Sequence, residues 1–188
     1  MAIIEIGTEL ISLHGYNATG IDTVLKQAGV PKGSFYHYFR SKEDFGMAII
    51  DQFSREYETK LSTFFDNSSA SPLSRIRNYF THSLAHFREN QFTKGCLIGN
   101  LGQELAGQNE HFREKLATIF QAWQERFADC LVQAQRQGEI SAELDPQVVA
   151  EFILAGWEGA ILRAKVMKSP DSIQNFIDTL FSTVLRLK

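Results

Sequence analysis

The sequence predicts an all-α protein of about nine helices. Apolar residues recur three and four positions apart along most of the chain, which is typical of amphipathic helices. A capping residue followed by proline, a signature of helix starts, occurs repeatedly, and no alternating strand-like run is found. We therefore expect helices joined by short turns. The cap-and-proline pairs are Ser71-Pro72, Asp145-Pro146 and Ser169-Pro170.

The composition is that of a globular protein, with 44% hydrophobic and 22% charged residues. A formal net charge of −3 does not favour nucleic-acid binding, so such a function would depend on a local basic patch. The two cysteines cannot form a disulfide framework, and we expect a cytoplasmic chain without leader or membrane span. No enzyme, metal or cofactor motif is found, so we expect a protein that is not an enzyme and has no cofactor.

The first predicted helix, residues 2–14, has one apolar side and ends at Gly15. A second helix of about two turns begins after Thr19, which has the spacing of a capping box with Asp22. Gly29 is expected to end it in the left-handed conformation. The apolar side chains of the first helix are Ile3, Ile4, Ile6, Leu10, Ile11 and Leu13.

The third predicted helix begins beyond Pro31, a residue that is well tolerated at a helix start. Phe35, Tyr38 and Phe39 form its apolar side. Two short helices joined by a glycine-containing turn describe a helix-turn-helix unit. Residues 26–42 include four lysine or arginine residues and no acidic one, which suits contacts with DNA phosphates and base edges. A solvated helical hairpin with ordinary surface lysines is the alternative.

Six further helices follow. Ser41 and Asp44 form a second capping-box candidate, which opens a fourth helix that runs to about Phe65. The next segment, 92–107, is rich in glycine, so we expect a short or irregular helix there, starting from Cys96. The others are expected at 72–90, from the Asn109 cap to Gln137, at 146–167 and at 171–187.

Residues 15–45 resemble the DNA-binding segment of the tetracycline-repressor (TetR/AcrR) family, most densely in the run from Gly-Val-Pro-Lys-Gly-Ser-Phe-Tyr-His-Tyr-Phe to Arg-Ser-Lys-Glu-Asp-Phe. The resemblance implies a helix-turn-helix DNA-binding domain at 1–46 and a helical effector-binding and dimerisation domain at 47–188. It implies a transcriptional regulator, and we favour a repressor that a small-molecule or electrophile effector releases from its operator. Activation remains the alternative.

The family pattern also assigns roles to single residues. Lys32 would donate to O6 and N7 of guanine. The residues placed at bases or the nearby backbone are Lys32, Gly33, Ser34 and His37. Those placed at phosphates are Tyr36, Tyr38 and Lys42, with Thr19 near the backbone at the start of the preceding helix.

Cys96 is the main candidate for effector sensing. It follows Lys94 and precedes an apolar stretch, which could place its sulfur at a helix N-terminus and favour the reactive thiolate. The segment Lys-Gly-Cys-Leu at 94–97 also resembles repressors that respond to electrophiles such as N-ethylmaleimide. A small buried side chain is the alternative. Further candidates, for which core packing is the alternative, are His86, Phe87, Phe120, Trp123 and Trp157.

The last two predicted helices, 146–167 and 171–187, carry much apolar surface. The resemblance implies that they pair with their symmetry mates in a homodimer, which would recognise a pseudo-palindromic operator. The alternative is that one subunit buries both stripes by itself. His82 and His86 have a spacing that can ligate a metal, but no third ligand follows, so we predict no metal site.

Overall fold

In the computed structural model, residues 2–186 are described, and every regular element among them is helical. The predicted all-α fold is therefore confirmed for this part of the chain. Its helices are α1 (Ala2–His14), α2 (Ile21–Ala28), α3 (Lys32–Tyr38), α4 (Lys42–Phe65), α5 (Pro72–Glu89), α6 (Leu97–Leu105), α7 (Glu110–Arg136), α8 (Pro146–Met167) and α9 (Asp171–Thr179), which continues as a π-helical turn (Leu180–Val184).

Side-chain caps begin most of the later helices, as predicted. Ser41 and Asn109 each accept a hydrogen bond from the amide three residues on, at 3.0 and 3.1 Å. Ser71 does so at 3.4 Å. Asp145 accepts from the amide two residues on, at 2.9 Å. The N-cap of α9 is Pro170 and not Ser169 as predicted, although the Ser169 hydroxyl accepts the N–H of Asp171 at 3.1 Å. These bonds satisfy backbone N–H groups that have no partner within the helix.

The end of the chain departs from the predicted continuous helix 171–187. After α9 the N–H of Leu185 donates to the carbonyl of Leu180 at 2.8 Å, five residues back, which makes a π-helical turn. With this wider turn Leu180, Phe181 and Leu185 are all buried. The guanidinium of Arg77 lies over the Phe181 ring, 4.0 Å from its centroid. The predicted end at 187 lies outside the described residues.

The chain divides into two compact units. The first takes residues up to 58 together with 96–116, and the second takes 59–95 together with the residues from 117 onward. α4 and α7 contribute residues to both units. The division into domains 1–46 and 47–188 stays a prediction.

In the first unit, glycines allow aromatic rings to approach the helices closely. A Cβ at Gly46 of α4 would lie 2.7 Å from the Tyr16 ring and 2.9 Å from the Phe112 ring. Those two rings meet edge to face, with centroids 5.2 Å apart. Gly7 of α1 is likewise covered by Phe45. Glycine is needed at both positions because any side chain would displace these rings.

The apolar side of α1 is narrower than predicted. Ile3, Leu10 and Ile11 are buried, but Leu13 is 42% exposed. At 100° per residue the buried positions of α1 span a sector of about 100° from Leu10 to Ile11, and Leu13 lies about 60° outside it, beyond Leu10. The prediction for Leu13 is therefore wrong.

The second unit is packed around Trp157 of α8. Its ring centroid lies 4.7 Å from that of Phe80 and 5.8 Å from that of Phe176. A Cβ at Gly156 would lie 2.7 Å from the Phe176 ring, so this glycine admits α9 of the same chain. Gly159, one turn further, has open space beside it.

Candidate nucleic-acid interface

Three aromatic side chains fix α3 within the first unit. Phe35 is fully buried, and its ring centroid lies 5.3 Å from that of Phe39 and 5.4 Å from that of Phe45 in α4. The rings of Phe39 and Phe45 are 5.0 Å apart. Such a cluster combines a large buried apolar area with favourable edge-to-face contacts, and so holds α3 in one orientation.

The connection between α2 and α3 is the predicted glycine turn. Gly29 is left-handed, with φ +64° and ψ +28°. Its N–H donates to the carbonyl of Lys26 at 3.4 Å, and the N–H of Val30 donates to that of Leu25 at 3.1 Å. Pro31 then precedes the first residue of α3. This geometry ends α2 and redirects the chain within two residues.

The face of α3 opposite Phe35 is exposed. Tyr36 and Tyr38 are 53% and 61% exposed, so the prediction that Tyr38 lies on the apolar side is wrong. α3 ends at Tyr38, and Phe39 has an extended backbone with φ −131° and ψ 124°. This change of direction turns Phe39 inward and leaves Tyr38 outside. Ser34 is half-buried, and the remaining predicted contact residues of α3, all exposed, are Lys32, Gly33 and His37.

Lys32 forms an ion pair with Asp22 of α2, with Nζ 2.9 Å from Oδ1. The hydrogen bond and charge of Asp22 raise the pKa of Lys32 above its ordinary value. The candidate base-contacting ammonium therefore has an acidic neighbour within its own subunit.

Thr19 is buried, and its hydroxyl donates to the carbonyl of Gly15 at 2.7 Å. α2 is capped by Gly20, with no side-chain hydrogen bond to the helix. The predicted Thr19–Asp22 capping box is therefore wrong, because the turn before α2 has already satisfied the hydroxyl and Asp22 faces Lys32. A DNA contact by Thr19 stays a prediction.

Lys42, at the start of α4, is held by the turn between α1 and α2. Its Nζ donates to the carbonyl of Asn17 at 3.3 Å and lies 4.6 Å from the centroid of the Tyr16 ring. Burial lowers the pKa of Lys42, and the charge of Glu104 opposes this effect. Burial, with the charges of Glu43 and Glu104, raises the pKa of Tyr16 to about 12. Tyr16 therefore stays a neutral phenol beside the ammonium.

Glu104 of α6 is a partner that the sequence did not indicate. Its Oε2 accepts the N–H of Tyr16 at 2.8 Å, and its Oε1 accepts that of Asn17 at 2.6 Å. Gly15 has φ +87°, and a Cβ there would lie 3.0 Å from Glu104 Oε2. Two charge-assisted bonds therefore fix the turn on which Lys42 rests.

The two cysteines differ in environment. Cys96 is half-buried and caps α6, its Sγ accepting the N–H of Gly99 at 3.4 Å. The predicted position of this sulfur at a helix N-terminus is confirmed, whereas its sensing role stays a prediction. Cys130 is buried, its Sγ–H donates to the Pro72 carbonyl at 3.2 Å, and burial raises its pKa to about 12. Cys130 is therefore a neutral thiol at physiological pH.

The other candidate effector residues do not form one cluster. Phe87 is half-buried, with its ring centroid 6.2 Å from that of the buried Trp157. Phe120 and Trp123 meet edge to face on α7, 5.7 Å apart. Phe120 also lines an open groove of about 650 Å³ between α7 and α8. His86 lies on the exposed side of α5.

The histidines of α5 do not build a metal centre. Partial desolvation and the nearby charge of Lys60 lower the pKa of His86. His82 packs against the ring of Phe64, with centroids 5.2 Å apart. No three His, Cys, Asp or Glu side chains within residues 2–186 are placed to hold a metal ion. In the same range no helix is long and apolar enough to cross a membrane.

α8 carries an exposed apolar stripe. Val148, Phe152, Leu162 and Val166 are 62%, 53%, 44% and 72% exposed, and with Gly159 they recur at helical spacing along one face. Large apolar side chains in a contiguous exposed stripe mark an interaction surface. Within the described chain one subunit buries most of the two predicted C-terminal stripes, including Ile153 and Trp157 of α8 and Ile177 of α9. The exposed stripe is a different face of α8, which shares only Phe152 and Gly159 with the predicted one.

Two family models match the sequence. "Bacterial regulatory proteins, tetR family" matches residues 3–47. "Tetracyclin repressor-like, C-terminal domain" matches residues 72–180, more than half of the chain.

The chain is also similar to individual proteins over nearly its whole length. It is 42% identical to the transcriptional regulator AcuR of Cereibacter sphaeroides, over 95% of this chain and 81% of that one. It is 29% identical to the HTH-type transcriptional repressor NemR of Escherichia coli (strain K12), over 92% of this chain and 87% of that one. A crystal structure of regulatory protein TetR from Rhodobacter sphaeroides, 42% identical, superposes with a TM-score of 0.92 over 96% and 95%. A crystal structure of the reduced form of E. coli NemR, 28% identical, superposes with a TM-score of 0.86 over 95% of this chain and 93% of that one.

Proposed function

We propose a mechanism for this chain, which belongs to the TetR family of DNA-binding transcriptional regulators and is not an enzyme. Two copies bind a pseudo-palindromic operator and repress transcription until an effector releases them. The similarity to NemR, which is named a repressor, supports repression over activation. The observation that carries the proposal is α3, which is anchored by buried phenylalanines and presents polar and cationic side chains to solvent.

α3 enters the major groove. Lys32 and His37 reach base edges there, while Tyr36 and Tyr38 donate to phosphates at the rim. Lys42 adds a phosphate contact from the start of α4, since its ammonium retains donors beyond the one given to Asn17. These contacts give α3 both sequence preference and salt-dependent affinity.

A second copy of the chain covers the stripe on α8. Symmetric pairing would bury Phe152 and Val166 together with the side of α9 that borders α8. The open space beside Gly159 supports close approach of a partner helix there. A twofold axis would set two α3 helices about 34–36 Å apart, the spacing of successive major grooves on one face of DNA.

Release begins at Cys96 or in the helical body of the second unit. The Cys96 sulfur lies at the start of α6, where it accepts the N–H of Gly99 and where the positive end of the helix favours a thiolate, which supports reaction with electrophiles. The similar protein NemR of E. coli is known in a reduced form, which supports a redox-sensitive response in this chain as well. The groove lined by Phe120 is the alternative site for a non-covalent effector. A coupling of about 1–3 kcal/mol would give roughly 5- to 150-fold release.

A footprint on the DNA upstream of the protein's own gene tests the proposal. We expect protection of an inverted repeat, with equal protection of both halves. A helical dimerisation module that acts on a partner protein without DNA would protect nothing, and this result would refute the proposal.

A further inference from the structure

Asp22 and Lys32 are held together on the exposed side of the helix-turn-helix. The carboxylate lies in the first turn of α2, the ammonium on the first residue of α3, and the two atoms are 2.9 Å apart. The side chains are 77% and 61% exposed. Asp22 does not cap α2, and its carboxylate instead pairs with Lys32.

An unrestrained lysine is a poor discriminator of sequence. Its charge sits on a flexible four-carbon stem, and it can reach phosphates on either side of a groove, where binding is independent of sequence. A carboxylate 2.9 Å away favours positions of the ammonium close to Asp22 over positions at the phosphates. One of the three N–H donors of Lys32 is then used, and two remain for O6 and N7 of guanine.

We infer that Asp22 is a positioning residue for sequence recognition, which keeps Lys32 at base edges and away from phosphates. The inference rests on the proposed function, because it requires α3 to face DNA. It does not require Asp22 to touch DNA. Since exposed ion pairs contribute little to folding, the pair is better explained by recognition than by stability, and its removal should leave the fold intact.

A double-mutant cycle tests this inference. Wild type, Asp22→Asn, Lys32→Ala and the double variant are titrated at several salt concentrations with the footprinted operator and with an unrelated duplex of equal length. Asp22→Asn should raise affinity for the unrelated duplex about fivefold and steepen the slope of log K against log salt by about one, as one further phosphate contact forms. The ratio of operator to unrelated affinity should fall about tenfold, within the range of one base contact.

The Lys32→Ala background is the decisive control. There Asp22→Asn should change neither affinity nor slope, because no ammonium remains to be released. If the same increase appears in that background, Asp22 acts only by general repulsion of phosphates, and the inference is overturned. Asp22→Glu, which keeps a carboxylate, should retain most of the discrimination.

Two further results separate the possible failures. Glu143→Gln, in the connection between α7 and α8, makes the same change in net charge and should leave the affinity ratio unaltered. A wild-type protein that binds operator and unrelated duplex alike refutes the proposed function itself. A protein that selects its operator, but whose ratio is the same in Asp22→Asn, refutes only the role of Asp22.

Discussion

Glu43 and His111 join the first turn of α4 to the first turn of α7, with Oε1 2.9 Å from Nδ1. Asn109 donates to the other oxygen of the same carboxylate at 3.0 Å. The bond to Glu43 raises the pKa of His111 above 6.5, and the bonds from His111 and Asn109 lower that of Glu43 below 4.5. Glu43 thus connects the start of α4 to the start of α7 through hydrogen bonds to both Asn109 and His111.

These opposite shifts predict how the contact depends on pH. The raised pKa of His111 adds stability that is fully present below its ordinary value of 6.5 and is lost as pH rises through the raised value. The lowered pKa of Glu43 adds stability that is present above 4.5 and is lost as pH falls through the lowered value. Both contributions are therefore present together between about pH 4.5 and 6.5.

We expect His111→Ala to lower Tm most near pH 5.5 and least near pH 8, as measured by thermal unfolding. In a Glu43→Gln background the effect of His111→Ala should depend much less on pH, because only the weaker charge effects of Glu110 and Glu114 then raise the pKa of His111. An equal loss of Tm at both pH values would show that the pair does not titrate as described.

Phe35 should dominate the stability of the helix-turn-helix. Phe35→Ala removes a fully buried ring between Phe39 and Phe45, and such changes cost about 3–5 kcal/mol. Denaturant unfolding measures this loss. Tyr36→Ala, next in sequence but exposed, should change stability by less than about 0.5 kcal/mol. A Phe35→Ala loss as small as that of Tyr36→Ala would contradict the packing described.

Lys42 and Lys32 should contribute differently to DNA binding. Lys42→Ala is expected to weaken binding to every duplex. It should also reduce the slope of log K against log salt by about one, as for a lost phosphate contact. Lys32→Ala should mainly reduce the preference for the operator sequence, because a lost base contact costs about 1–3 kcal/mol of specific binding free energy. Binding to operator and unrelated duplexes over a salt series measures both effects. Equal losses of specific and nonspecific binding for both variants would refute the division.

Phe152 should be needed for the dimer. Phe152→Asp places a charge in the exposed stripe of α8, and burial of an unpaired charge opposes association. Sedimentation velocity at micromolar concentration should show a monomer. Leu13→Asp alters another exposed apolar residue, on α1, and should remain dimeric. A dimeric Phe152→Asp protein would place the interface elsewhere.

Cys96 should be the thiol that responds to electrophiles. Cys96→Ser is expected to keep operator binding but to reduce release by N-ethylmaleimide from the roughly 5- to 150-fold range to none. Cys130→Ser should respond like wild type, because burial holds the pKa of Cys130 near 12 and leaves no thiolate to react. Normal release from Cys96→Ser would end this part of the proposal.

Local signals in the sequence predicted most of the fold. Proline after Asp145, the cap at Asn109 and the glycine at 29 each act within a few residues, so the helix boundaries follow from the chain itself. The π-helical turn was not predicted, because no glycine or proline marks it in the sequence; in the structure it accompanies the burial of Leu180 and Phe181.

The candidate site was less predictable where contacts are distant in sequence. Glu104 has no local signature, since its partners are the amides of Tyr16 and Asn17. The sequence predicted a capping role for Asp22, and only the fold shows that it faces Lys32 instead. The resemblance supplied the proposed DNA-facing side of α3, whereas the geometry showed which contacts orient this helix.

The central claim is that two copies of α3 bind one operator. Its most direct test is titration of the full-length protein with the footprinted duplex over a salt series, with the stoichiometry measured in the same samples. We predict two protein chains per duplex and a log–log salt slope several units steep, as expected for several phosphate contacts in each half. One chain per duplex, or a flat slope, would contradict the claim.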